Sequence, residues 1–114
     1  MFKTFRIIFL GLIFFSVPFF VRATTFDFNV DPSYDFLNRS NVTAFLYQIG
    51  TNAYFYVEDD YYQSLDDEGK KQFSANVKNL SQEFDSVIYT RLTELFGFEW
   101  KPGIDKDEKI TVLL

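Results

Sequence analysis

From Phe73 to Leu95 the apolar residues recur at spacings of three and four: Phe73, Val77, Leu80, Phe84, Val87, Ile88, Leu92 and Leu95. A helix turns once in 3.6 residues, so this spacing gathers them into one stripe that must be covered by something apolar. Lys78, Gln82, Glu83, Arg91 and Glu94 fall largely on the other face. The pattern begins at Asp66 or Asp67, with acids where the helix dipole favours them, and stops at Gly97, a good C-terminal cap. The adjacent Val87 and Ile88 widen the stripe, and Thr90 marks a bend. The expectation is one long helix or two consecutive ones, near 67–86 and 88–96, with the whole stripe in the core.

The cover comes from β-prone segments on either side. VTAFLYQI and AYFYVE flank a short Gly-Thr-Asn turn, which predicts a hairpin with strands near 42–49 and 53–58. Asp59-Asp60-Tyr61-Tyr62 then leaves the sheet. After the helix, Pro102-Gly103 is a turn, Asp105 to Lys109 a charged loop, and Ile110 to Leu114 an apolar strand. Five residues of this kind with no polar cap, ITVLL, belong inside a parallel or mixed sheet and lead onward, so the sequence expects the chain to be truncated at Leu114. Residues 24–41 mix single aromatics with Asp, Asn, Ser and Pro32 and read as an extended leader. The fold class expected is α+β, with residues 42–114 as one small subdomain: a hairpin, a long amphipathic helix and a C-terminal strand in one small sheet.

The first 23 residues are a different object. Lys3 and Arg6 precede fifteen nearly unbroken apolar residues, Ile7 to Val21, and Val21-Arg22-Ala23 offers small residues at −3 and −1 of a cut. This is the pattern of a secretory signal peptide cleaved between Ala23 and Thr24. Fifteen residues are short for a membrane span, although Arg22 keeps an uncleaved N-terminal anchor as the alternative. With no cysteine there is no lipoprotein attachment. The expected partners of residues 1–23 are the export machinery and signal peptidase. The membrane is met only in transit or as an anchor, and the body is secreted or held at the cell surface, as in bacterial export.

Composition closes several routes. The 114 residues include no histidine and no cysteine, so triad hydrolases, histidine-ligated zinc and thiolate chemistry cannot be built from this chain alone. Three of the eleven basic residues sit in the first 22 positions, leaving eight against sixteen acids in the body. Such a body repels phosphate backbones, and no nucleic-acid partner is expected. No catalytic, cofactor-binding or metal-ligating residue is assigned.

Four weaker signals have ordinary structural readings beside them. Asp105 and Asp107 have the i, i+2 carboxylate spacing that opens many calcium loops, but Lys109 stands where a third ligand belongs, and a solvated turn is the commoner use. The paired acids Asp59-Asp60 and Asp66-Asp67-Glu68 suit a strand end and a helix start better than acid–base work. Tyr54, Tyr56, Tyr61 and Tyr62 with Phe55 could stack on sugars or peptides, whereas aromatic strands are more often core. Asn38, Asn41 and Asn79 begin N-glycosylation triplets, which matter only in a eukaryotic secretory route.

The segment from Glu83 to Leu114 resembles the region upstream of the zinc site in hyicolysin-like secreted bacterial zinc metallopeptidases. The residues that carry the likeness are Glu83-Phe84-Asp85, Ile88-Tyr89, Thr93-Glu94, Phe96-Gly97, Trp100, Pro102-Gly103-Ile104-Asp105, Asp107 and Ile110 to Leu114. Tyr54 to Asp59 look like the preceding strand. Thr90 departs from the proline that many members carry after the tyrosine. The resemblance implies an incomplete zincin-like N-terminal subdomain, with zinc as the cofactor of the full-length protein and a polypeptide as its substrate. The H-E-x-x-H helix would lie beyond Leu114, so no functional residue of the family can be placed here. The sheet would support the zinc helix, and its edge strand would hold extended substrate. The competing class is a small secreted binding or scaffold module without catalysis.

Overall fold

A computed structural model describes residues 23–114; the signal peptide expected over residues 1–23 lies, but for Ala23, outside the described residues. The body is α+β. Four strands, β1 (Thr25–Asn29), β2 (Asn41–Ile49), β3 (Ala53–Glu58) and β4 (Ile110–Leu113), form one mixed sheet in the order β1-β2-β3-β4. The first two pairings are antiparallel, and β3 with β4 is parallel. A parallel partner must be reached by a crossover. Here it is a short α1 (Asp59–Ser64), then α2 (Asp67–Glu83), a π-helical turn (Phe84–Ile88) and α3 (Tyr89–Phe96).

The hairpin falls where the sequence puts it. Its register slips between Leu46 and Gln48, a bulge in β2. The leader 24–41 contains more order than expected, because Thr-Phe-Asp-Phe-Asn alternates with period two and makes β1. Phe26 and Phe28 pair opposite Ala44 and Val42 and meet Tyr56 edge-on, with ring centroids 5.9 and 4.9 Å apart. That contact covers the sheet face turned away from the helices.

The other face carries the core. Ala53, Phe55 and Val57 point one way along β3 and are fully buried. Val77 of α2 packs on Ala53 and Phe55, ringed by Tyr47, Phe73, Phe84, Ile110, Val112 and Leu114. Phe84 meets Phe55 at a right angle, 6.0 Å between centroids. Tyr62 of α1 wedges its ring among Phe45, Tyr47 and Phe73. The start of α2 is capped by Asp66, whose Oδ1 accepts the Gly69 N–H at 2.7 Å.

Two sequence expectations need correction. The helical stripe is not all core: Leu80, Val87, Leu92 and Leu95 lie exposed, Leu95 to 75% of its surface. Phe73, Val77, buried Ser81, Phe84 and Tyr89 form the inward line instead. Beyond Glu83 the phase is changed by the π turn, which the spacing could not announce. Its Tyr89 N–H bonds the Phe84 carbonyl, five residues back. The helix is re-phased there rather than bent at Thr90. Second, the strand expected inside a sheet is its outermost member among the described residues.

Candidate functional site

Backbone hydrogen bonds define what β4 leaves open. The Ile110 N–H donates to the Asn52 carbonyl at 2.9 Å, the Leu114 N–H to the Tyr56 carbonyl at 2.8 Å, and the Glu58 N–H to the Leu114 carbonyl at 2.9 Å. Successive residues of a strand turn their polar groups to opposite sides. Thr111 and Leu113 therefore direct their N–H and C=O groups to the open edge, where no further strand of the described residues lies. No proline, bulge or lysine within Ile110–Leu113 blunts this edge, the usual protections against pairing.

One end of the edge is braced by the loop before it. Lys109 donates to the Gly50 carbonyl at 3.0 Å and stands over the Tyr54 ring, 5.2 Å from its centroid. The Tyr54 hydroxyl donates to Asp107 at 3.1 Å, which raises the phenol above its ordinary value. At the other end, a cavity of about 370 Å³ is lined by Val42, Leu113 and Leu114 together with Asp35, Arg39 and Glu58. Arg39 is clamped there: its Nη2 lies 2.8 Å from Asp35, and its Nη1 donates to Glu58. The side-chain bond from Arg39 holds the Asp35 carboxyl at about 2, below its ordinary 3.8, and the two acids hold Arg39 above its own. The arrangement is a largely apolar hollow with a net acidic wall, Arg39 between Asp35 and Glu58, beside a run of unpaired backbone groups. It is suited to binding an extended chain and contains no nucleophile–base pair.

The weaker sequence signals disperse. Asp105 and Asp107 serve as turn acceptors: Asp105 takes the Asp107 N–H at 3.1 Å and Asp107 the Lys109 N–H at 3.0 Å. Among the described residues no group of three His, Cys, Asp or Glu is placed to hold a metal ion. Zinc of the kind the resemblance implies finds no fitting donor set among the described residues. Asp59 and Asp60 open α1, while Asp67 and Glu68 open α2 behind their cap. The tyrosines do not make one patch, since Tyr61 and Tyr62 pack toward Phe73 and Tyr56 joins Phe26 and Phe28 on the opposite face. Phe55 is wholly buried. Asn38 sits in a loop at φ 54°, Asn41 begins β2, and Asn79 lies on the exposed side of α2. Sequence reasoning missed the Asp35–Arg39–Glu58 cluster. Its only signal was the i, i+4 spacing of Asp35 and Arg39, in a segment without helical pattern.

No protein family, curated protein or solved structure matches the chain.

Proposed function

We propose that this chain is the exported N-terminal subdomain of a zinc-dependent metallopeptidase, a mechanical part that presents a sheet edge to extended polypeptide substrate. The observation that carries the reading is the open side of β4, where the backbone groups of Thr111 and Leu113 are free to pair with an added strand. Such pairing reads the backbone and tolerates sequence, as a protease's support strand must. The resemblance over Glu83–Leu114 supplies the reaction class. The exposed line Leu80–Val87–Leu92–Leu95 supports it independently, offering a helix face on which a further helix of the full-length protein would pack. The H-E-x-x-H zinc site would belong to that further part; bound zinc would there activate water for peptide hydrolysis. This chain's residues contribute only the sheet, its backing helix and the binding edge.

The test is the secreted product of the complete gene. Peptide hydrolysis should be abolished by chelation and restored by zinc. Leu113→Pro, which removes an outward N–H, should raise KM severalfold and leave kcat nearly unchanged. Absence of chelator-sensitive hydrolysis would overturn the reading. The cavity at Arg39 would then favour a secreted non-catalytic binding module, with retained ligand in place of turnover.

A further inference from the structure

The open edge of β4 runs between two hollows that lie on opposite faces of the sheet. Paired residues of neighbouring strands share a face. Ile110 and Val112, opposite Ala53 and Phe55, therefore look toward the helices. Thr111 and Leu113, opposite Tyr54 and Tyr56, look away from them. Leu113 lines the cavity that holds Arg39. Ile110 lines a second hollow, of about 380 Å³, walled by Tyr89, Phe96 and Phe98.

The two walls differ in charge. In the helix-side hollow the acid is Glu99, which accepts the Tyr89 hydroxyl at 2.8 Å and lies 3.3 Å from Lys101 Nζ. That charge is matched, and what the hollow offers a guest is the exposed surface of Phe96 and Phe98. In the far-side cavity three acids, Asp31, Asp35 and Glu58, face one base, Arg39. Arg39 already spans Asp35 and Glu58, whereas Asp31 takes the uncharged N–H and hydroxyl of Ser33. The Tyr34 ring in the same wall is 91% exposed, so its face is open to a cation.

A strand added along Thr111 and Leu113 would lie about 4.8 Å from β4. Its residue opposite Ile110 would turn to the aromatic hollow, and its residue opposite Leu113 to the acidic one. Ile110 and Leu113 are three residues apart, and pairing counts one for one in either strand direction. We propose that the edge selects extended segments in which a large apolar side chain and a lysine or arginine stand three residues apart. The proposal rests on the reading of β4 as a polypeptide-binding edge and adds the sequence that edge prefers. At a spacing of two or four, both side chains fall on one face and one hollow stays empty.

The test uses the secreted product of the complete gene, held in chelator so that bound peptide is not cut. Fluorescein-labelled peptides of a Ser-Thr host carry Phe and Lys two, three or four residues apart, in both orders. By fluorescence anisotropy the spacing of three should bind at least ~10-fold more tightly than the other two. Asp31→Asn, at an exposed loop position, should weaken the lysine peptide about 3-fold and leave its norleucine counterpart unchanged. Phe98→Ser should weaken both. Equal affinity at all spacings, or an optimum at two or four, overturns the pattern and leaves a sequence-tolerant edge. Equal loss of the lysine and norleucine peptides in Asp31→Asn overturns the selection of a cation. Absence of binding by every peptide overturns the edge reading itself, and the pattern with it.

Discussion

Asp85 satisfies two backbone N–H groups of a turn with one carboxylate, and Gly50 leaves it the room to do so. Gly50→Ala should therefore cost about 1–3 kcal/mol, because the new methyl must displace both the Asp85 and Ser81 side chains. Phe55→Ala, in the centre of the core, should cost about 3–5 kcal/mol; urea unfolding measures both. The charged residues set the acid limit. The Arg39 bonds depress the Asp35 carboxyl to about 2. Burial raises that of Asp85, but its bonds from Thr51 and Asn52 outweigh this and leave it lowered. A carboxyl lowered by folding stabilises fully above its unfolded value of 3.8, and that contribution drains as pH falls through the folded value. The urea midpoint should fall between pH 5 and pH 2, with a shallower fall in Asp35→Asn.

At the scale of elements, the hairpin, the helix start at Asp67 and the last strand were legible because period-two and period-3.6 patterns report local geometry directly. The π turn was not, since no residue type marks it, and its Asp85 is bonded to a turn more than thirty residues upstream that local spacing cannot report. Beyond that turn Leu92 and Leu95 lie exposed. Leu95→Ala should cost under about 0.5 kcal/mol, where a core leucine would cost about 2–5. β1 was half-legible: its alternating phenylalanines were visible, but the polar residues between them and Pro32 just beyond read as loop. The Asp35–Arg39–Glu58 cluster was illegible, because the Glu58 partner lies nineteen residues away across the sheet. The geometry of β4 has its own test. Thr111→Pro removes an N–H that faces the open edge and should leave folding intact, whereas Ile110→Pro removes the bond to Asn52 and should unfold the edge strand. Amide exchange along β3 distinguishes the two.

The described residues form an α+β body with twice as many acidic as basic residues, sixteen against eight. The mature protein should begin at Thr24, which mass spectrometry of the secreted product would read directly. Two surfaces of the described body remain without a partner of their own, the β4 edge and the outward helix line, and both lie where a larger protein of the proposed class would continue. The proposal of a metallopeptidase subdomain therefore stands or falls on what the gene encodes next. The most direct measurement is the coding sequence beyond the codon for Leu114. An open frame carrying H-E-x-x-H is the expected result and would supply the histidines this chain lacks; a stop codon directly after Leu114 would contradict it.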